Sequence, residues 1–147
     1  MPITEMLVSL KIPDNVAISV LGALHRMGRD VKSLERHDYY RFEFSGDRKS
    51  FERKISHVDI IVNANKHKFR FGIGSNDGRA KVLVQNLDED AGLLKTLRES
   101  LGIKEVKKAE KGTLWVMDLG EDGTEEAGSI AKGLLMNENY QKFRIIV

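Results

Sequence analysis

The sequence predicts an α+β fold in which one unit of strands and helices occurs twice. Three observations predict it: an internal repeat, alternating apolar and polar residues typical of strands, and apolar residues at helical spacing. The segment V-N-A-N-K-H-K-F-R-F at residues 62–71 matches M-N-E-N-Y-Q-K-F-R-I at residues 136–145, at a constant offset of 74 residues. The repeat indicates a duplicated unit, with one copy at residues 1–72, a linker at residues 73–79 and a second copy at residues 80–147.

The first copy opens with a strand and a helix. Residues 5–11 largely alternate in hydropathy, which predicts a half-buried strand. Pro13 ends this strand, and Asp14 or Asn15 is suited to cap the following helix, because a side-chain oxygen can accept from the free N–H groups of the first turn. Gly28 is expected just after the helix, where glycine adopts a left-handed conformation at low cost. The residues at helical spacing are Val16, Val20, Ala23, Leu24 and Met27.

Two strands, a second helix and a last strand complete the first copy. Residues 31–35 and 39–44 predict strands on either side of a turn at residues 37–38. Residues 45–47 are expected to end the second of these strands and to cap a helix. Residues 66–73 predict the closing strand. The inner stripe of the second helix comprises Phe51, Ile55, Val58 and Val62.

The second copy repeats this order. A turn is predicted at residues 111–112, and the strands are predicted at residues 80–85, 106–109, 114–119 and 140–147. Asp88 or Asp90 is expected to cap its first helix, and residues 120–124 lead into its second. The inner stripes comprise Ala91, Leu94, Leu97 and Leu101, and then Ala127, Ile130, Ala131 and Leu134. Each copy is therefore β-α-β-β-α-β, the ferredoxin-like plan, and the two copies are expected to form a pseudo-dimer within one chain.

Composition and charge restrict the function. The 147-residue chain has no cysteine and a net charge of +2, which excludes disulfides and argues against nucleic acid as the main partner. No apolar run approaches the ~20 residues of a membrane-spanning helix, and no signal peptide is evident, so we expect a cytoplasmic protein with no membrane partner. Residues 1–72 hold 13 basic and 9 acidic residues, whereas residues 73–147 hold 11 and 13. Either drift on solvated faces or contact with different partners would account for this difference.

The sequence predicts no catalytic, cofactor-binding or metal-binding residues. The acidic clusters at residues 88–90 and 121–126 precede predicted helices, where negative charge stabilises the N-terminus. The histidines show no pairing at a metal-site spacing, and all of them lie in the first copy. They are His25, His37, His57 and His67. We therefore expect no cofactor and no turnover by the chain alone.

The repeated motif Asn-x-Asn-x-x-Lys-Phe-Arg is the most specific pattern in the chain. Its asparagines are expected to end a helix or to form Asx turns, with positive φ tolerated. Phe69 and Phe143 are expected to face the core, while the lysines and arginines point to solvent or to a partner. The candidate interface or structural residues are therefore Asn63, Asn65, Lys68, Arg70, Asn137, Asn139, Lys142 and Arg144.

Both copies, and the second more clearly, resemble the PurS family. Leu101-Gly102-Ile103-x-x-Val106 is similar to the family's L-G-aromatic-x-x-V after its first helix. Gly112 is similar to its turn glycine, and residues 134–145 are similar to its ending, in which the second helix runs into L-x-N-P and the last strand. Family members are usually one unit long and assemble as dimers, so the resemblance implies a fused pseudo-dimer.

The resemblance implies a structural role without catalysis. PurS is the small subunit of phosphoribosylformylglycinamidine synthase in de novo purine biosynthesis, where it helps to join a glutaminase subunit to an ATP-dependent synthetase subunit. The resemblance thus implies that these two subunits are the partners, and it leaves a homo-oligomer open. Two alternatives remain. One is a tandem ACT-like regulatory module that binds an amino acid, and the other is an enzyme whose site lies on the sheet faces.

Overall fold

A computed structural model describes residues 1–74, 78–87, 91–119, 123–137 and 139–146. The strands are β1 (Ile3–Leu10), β2 (Ser33–Phe44), β3 (His67–Phe71), β4 (Ala80–Asn86), β5 (Val106–Asp118) and β6 (Gln141–Ile146). The helices are α1 (Asn15–Arg26), α2 (Arg48–Ile55), α3 (Ala91–Lys95) and α4 (Gly123–Ile130). Helices α3 and α4 each continue into a π-helical turn, Thr96–Ser100 and Ala131–Leu135. The α+β class is therefore confirmed.

The described strands form a six-stranded antiparallel sheet with the order β3-β1-β2-β5-β4-β6. The turn predicted at residues 37–38 is wrong, because β2 runs through these residues as one strand of 12 residues. The turn predicted at residues 111–112 is also wrong, because β5 is one strand of 13 residues. His37 and Asp38 are neither glycine nor proline, and Asp38 pairs in register with Val8 of β1. Each half therefore has the observed order β-α-β-α-β with a long middle strand.

Gly112 lies within β5 because two strands approach closely there. A Cβ atom built on this residue would lie 2.7 Å from the carbonyl oxygen of Val84 and 2.8 Å from Cγ of Gln85, both on β4. Real Cβ atoms essentially never make contacts this short. The residue interpreted from the sequence as a turn glycine is therefore a close-approach glycine in a strand.

The chain separates into two compact units whose segments alternate along the sequence. Unit 1 comprises Met1–Lys11, Asp38–Ile73 and Asp88–Lys111, and unit 2 comprises Ile12–His37, Gly74–Leu87 and Gly112–Val147. Helix α1, from the first half of the sequence, therefore belongs to unit 2, and helix α3, from the second half, belongs to unit 1. Strands β2 and β5 each contribute one segment to each unit.

The core of unit 1 combines its own strands with a helix from the second half of the sequence. The rings of Phe44 and Phe51 stack with a centroid separation of 4.3 Å, and Phe42 meets Phe51 edge-on at 5.7 Å. Leu97, in the π-helical turn after α3, is completely buried in the same cluster. The other buried members are Met6, Val8, Ile55, Val58, Ile61, Val62, Ile103, Val106 and Ala109.

The core of unit 2 is closed by helix α1, from the first half of the sequence. Leu24 of α1 is 1% exposed and belongs to the same buried cluster as Val82 of β4 and Met117 of β5. The other buried members are Val31, Leu34, Val84, Trp115, Ala127, Ile130 and Ala131. Each core therefore combines elements of both halves of the sequence. Its strands come largely from one half, and the first helix of the other half covers them.

Asp14 caps helix α1 and ties it to β2 within unit 2. Its Oδ1 accepts from the N–H groups of Val16 at 3.0 Å and Ala17 at 3.2 Å, which confirms a predicted cap. The Arg36 guanidinium donates to both carboxylate oxygens, at 2.8 and 3.1 Å. Partial burial acts to raise the pKa of Asp14, but the hydrogen bonds from Arg36, Ala17 and Val16 outweigh it and hold the pKa below its ordinary 3.8.

Helix α2 is capped as predicted but is shorter than predicted. Asp47 accepts from the Ser50 N–H at 2.9 Å, which confirms the cap. The helix ends at Ile55, and turns rather than helix carry the chain on to Val62. Val58 and Val62 are nevertheless buried in the core of unit 1, as their apolar character predicts.

Four residues of the predicted helical spacings are exposed: Val16 at 46%, Met27 at 58%, Leu101 at 45% and Leu134 at 37%. Leu134 lies within one π-helical turn and Leu101 directly follows the other, and the wider π spacing rotates residues away from a stripe drawn at 3.6 residues per turn. The predicted caps at Asp88 and Asp90, and residues 75–77 and 120–122, lie outside the described residues.

The close approach at Gly112 predicts a position-specific effect of alanine. Gly112→Ala is expected to lower the free energy of unfolding by about 2 kcal/mol, because the backbone oxygen of Val84 cannot yield without disturbing β4. Gly133→Ala is the matched control, since nothing lies within 4 Å of a Cβ built there and alanine favours the helical turn by up to about 1 kcal/mol. Urea denaturation of both variants measures the difference, and equal effects would contradict the packing role of Gly112.

Candidate functional site

The repeated motif forms a compact turn before β3. The Oδ1 of Asn63 accepts from the N–H of Asn65 at 3.0 Å, which is an Asx turn. The carbonyl oxygen of Asn63 accepts from the N–H groups of Lys66 at 3.0 Å and His67 at 2.8 Å. The Asn63 N–H in turn donates to Nδ1 of His67 at 3.0 Å. Asn63 therefore takes part in all of these hydrogen bonds of the turn that precedes β3.

The second copy of the motif makes the same contacts before β6. Asn137 Oδ1 accepts from the N–H of Asn139 at 3.0 Å, and Asn137 O accepts from Tyr140 at 3.1 Å and Gln141 at 2.8 Å. The Asn137 N–H donates to Oε1 of Gln141 at 3.0 Å, so glutamine takes the place of the histidine as acceptor. The Asx-turn prediction is confirmed in both copies. The asparagines do not adopt the positive φ that was expected to be tolerated there, because no described residue other than glycine has a positive φ.

Each turn fixes where an edge strand begins to pair. Strand β3 is the edge strand of unit 1, and the carbonyl oxygen of Lys66 accepts from the Lys11 N–H at 2.9 Å, just beyond β1. Strand β6 is the edge strand of unit 2, and the carbonyl oxygen of Tyr140 accepts from the Leu87 N–H at 2.7 Å, just beyond β4. The two turns have the same geometry, and each therefore sets the register of the edge strand that follows it.

The lysine and arginine of each motif project from the edge strands as exposed side chains. Lys68 pairs in register with Ser9 and Arg70 with Leu7 on β1. Their counterparts Lys142 and Arg144 pair with Gln85 and Leu83 on β4 and are also exposed. Arg70 donates to the carbonyl oxygen of Ile73 at 2.9 Å. The two edges thus present the same pair of cations in the same order.

The phenylalanines of the motif have different environments. Phe143 packs against the core of unit 2, as predicted, beneath α4, where a Cβ on Gly128 would lie 3.9 Å from its ring. Phe69 lies on the same face of the sheet as its partner Val8, a core residue of unit 1, as predicted, but its side chain is 44% exposed and not buried.

A pocket of about 640 Å³ in unit 1 was not predicted from the sequence. Its lining combines the basic side chains of Arg53 and Lys54 with the exposed apolar side chains of Ile60 and Leu101. Lys54 donates to Glu105 at 2.5 Å, and this hydrogen bond lowers the pKa of Glu105. Helical periodicity places Leu101 in an inner stripe, so the sequence indicates that this residue is apolar and does not indicate that it lines a pocket.

Each histidine makes a local contact. His25 Nε2 lies 2.8 Å from the Val31 carbonyl oxygen, His57 Nδ1 lies 2.7 Å from the Arg53 carbonyl oxygen, and His37 lies 3.4 Å from Glu35. Together with the turn contact of His67, each of the four histidines contacts a residue within six positions of it in the sequence. Within the described ranges, no three His, Asp or Glu side chains are grouped closely enough to hold a metal ion.

Among the described helices, none has both the length and the apolar character needed to cross a bilayer. No protein-family model matches the chain, and no curated protein matches it with significant similarity.

The turn geometry predicts that the two asparagines of each motif contribute differently to the free energy of unfolding. Asn63→Ala removes the Oδ1 acceptor and is expected to lower the free energy of unfolding by about 1 kcal/mol. Asn65→Ala is the control, expected to change it by less than about 0.5 kcal/mol, because only the backbone N–H of Asn65 takes part in the described turn. Thermal and urea unfolding of both variants measures this, and a larger effect of Asn65→Ala would refute the Asx-turn account.

Proposed function

We propose that this chain is a non-catalytic structural subunit similar to PurS. It joins the glutaminase and the ATP-dependent synthetase of phosphoribosylformylglycinamidine synthase, in the de novo purine biosynthesis of the cytoplasm. In architecture, it is two tandem copies of one ferredoxin-like unit, modified by a continuous middle strand, that form a pseudo-dimer within one chain.

The composition of the two units supports the duplication. A shift of 74 residues carries Asp38–Ile73 of unit 1 onto Gly112–Val147 of unit 2. The same shift in the opposite direction carries Asp88–Lys111 of unit 1 onto residues 14–37, which lie within Ile12–His37 of unit 2. Two copies of one unit that exchange their first helices would give this pattern, as in a domain-swapped dimer whose two chains have been fused.

The observation that carries the structural role is the turn and cation pair that both edge strands share. A subunit that joins two proteins needs two attachment surfaces, and this chain has two edge strands that begin at the same asparagine turn. The segments of unit 1 contain 15 basic and 12 acidic residues, whereas those of unit 2 contain 9 and 10. Similar backbones with unlike charge suit two different partners, because charge complementarity selects the partner and sets the association rate.

The resemblance to PurS supplies the identity of these partners. Gly28 and Gly102 end the first helical segment of each half, with φ of 80° and 70°, which agrees with the glycine of the family's L-G-aromatic pattern. The family's turn glycine corresponds to Gly112, which lies in a strand here, so that part of the resemblance concerns sequence and not turn geometry. The proposal therefore depends mainly on the helix ends and on the motif before the last strand.

Reconstitution tests this function directly. The full chain is combined with the glutaminase and synthetase of the same organism, and the glutamine-dependent amidation of formylglycinamide ribonucleotide is measured. Omitting the chain is expected to abolish the glutamine-dependent rate while leaving the ammonia-dependent rate of the synthetase, because only ammonia transfer requires the joined complex. A full glutamine-dependent rate without the chain would contradict the proposal.

Charge reversal of each edge shows whether the edges carry the attachment. Lys68→Glu with Arg70→Glu is expected to weaken binding of one partner about tenfold, and Lys142→Glu with Arg144→Glu to weaken binding of the other to a similar extent. Lys95→Glu, a substitution at an exposed position of α3 that belongs to neither edge strand, is the matched control. Unchanged affinity for both partners in both double variants would place the attachment elsewhere.

A further inference from the structure

Strand β3 has a free backbone edge that starts at Phe69. The Gly72 N–H donates to the Glu5 carbonyl oxygen at 2.7 Å, and the Lys11 N–H donates to the Lys66 carbonyl oxygen at 2.9 Å. In an antiparallel pair, hydrogen-bonded residues alternate with residues whose N–H and C=O point away. Lys66, Lys68, Arg70 and Gly72 therefore bond to β1. The backbone groups of His67, Phe69 and Phe71 point outward.

The asparagine turn uses the first of these outward donors and leaves the next two free. The His67 N–H donates to the Asn63 carbonyl oxygen at 2.8 Å. Across the described part of the chain, the N–H groups of Phe69 and Phe71 have no backbone acceptor, since β3 pairs only with β1. A row of such groups is a template for another strand.

The side chains of β3 give this edge two different faces. Phe69 is 44% exposed and meets the ring of Phe71 edge-on at a centroid distance of 5.7 Å, which makes one face apolar. Lys68 and Arg70 point to the opposite face and are exposed. On β6, the equivalent Phe143 packs against the core, so the exposed aromatic belongs to β3 alone of these two strands.

Charge selects among the strands that could pair with this edge. Strand β3 has the sequence H-K-F-R-F and contains no acidic residue. Two copies of β3 placed side by side would set lysines and arginines against one another, which disfavours a second copy of this chain. An acidic strand would meet complementary charge at Lys68 and Arg70.

We propose that the edge of β3 binds an extended segment of a partner protein by strand addition. In this segment, acidic residues alternate with apolar residues. The acidic side chains lie opposite Lys68 and Arg70, and the apolar side chains pack on Phe69 and Phe71. Backbone hydrogen bonds to Phe69 and Phe71 supply affinity, and the alternating side chains supply specificity. This inference rests on the proposed function for the identity of the protein that provides the segment, but not for the chemistry of the edge.

A labelled peptide and the full chain test the inference. The probe is a fluorescein-labelled eight-residue peptide of alternating glutamate and valine, and the control peptide alternates lysine and valine. Fluorescence anisotropy is expected to show binding of the glutamate peptide at least about tenfold tighter than that of the lysine peptide, and weaker at high salt. Equal affinity for the two peptides, or no binding, would overturn the proposal.

Three variants separate strand addition from general attraction. Phe69→Pro removes an outward N–H without removing a bond to β1 and is expected to abolish binding, whereas Phe69→Thr keeps the N–H and is expected to retain weaker binding. Lys68→Glu with Arg70→Glu is expected to reverse the preference toward the lysine peptide. This double variant keeps the test valid even if the proline variant proves unstable by circular dichroism. An unchanged preference in the double variant would overturn the proposal.

The outcomes distinguish this inference from the proposed function. If the synthase requires the chain but tolerates Phe69→Pro and the charge reversal of β3, the strand-addition inference fails and the structural role remains. If the peptide binds as expected but the synthase does not require the chain, the role in purine biosynthesis fails and the binding edge remains. The wild-type chain could also self-associate, and Phe69→Pro could abolish this association. That result would identify a second copy of the chain as the occupant of the edge and would overturn the acidic-segment proposal.

Discussion

The fold depends on the exchange of the first helices between the two halves of the sequence. Helix α1 places Leu24 in the core of unit 2, and the segment after α3 places Leu97 in the core of unit 1. Burial of one such side chain is worth about 1.5–3 kcal/mol. Helices of this length are marginal on their own in water, so their stability comes from the cores that they close. Neither half of the sequence contains all the elements of either unit.

The elements that local chemistry determines could be predicted from the sequence. Asp14 and Asp47 cap their helices because a carboxylate can accept from N–H groups two or three residues away. The repeated asparagines form Asx turns for a similar reason, since all the partners lie within four residues. Such contacts need no knowledge of the rest of the chain, and the repeated motif forms the same turn both times.

The elements that depend on distant partners could not be predicted. The strand pattern of residues 31–44 was split at His37 and Asp38 because nothing local shows that both segments continue one ladder. Gly112 resembled a turn glycine, but the Val84 carbonyl oxygen that requires glycine there is 28 residues earlier in the chain. An amphipathic stripe shows that a helix is buried on one face, but it does not show which strands the helix packs against. The periodicity of α1 and α3 therefore could not reveal that each packs against strands of the other half.

The candidate site follows from the repeated asparagine motif. Asn63 and Asn137 form the same hydrogen-bonded turn before β3 and β6, but the two strands expose different side chains. Phe143 packs against the core of unit 2, whereas the side chain of Phe69 is 44% exposed. The two edge strands thus begin at the same backbone turn and present different surfaces. This difference, and not a cluster of reactive groups, is the physical basis of the proposed role in joining two proteins.

The exchange of helices is tested most directly by methyl NOE measurements on the intact protein with selective leucine, valine and isoleucine labelling. The account predicts NOEs from the Leu24 methyl groups to methyl groups of the unit 2 core, such as those of Val82 and Ile130, and from Leu97 to those of the unit 1 core, such as Val8 and Ile55. NOEs from Leu24 to Val8 or Ile55 would show that each half keeps its own first helix and would contradict the account.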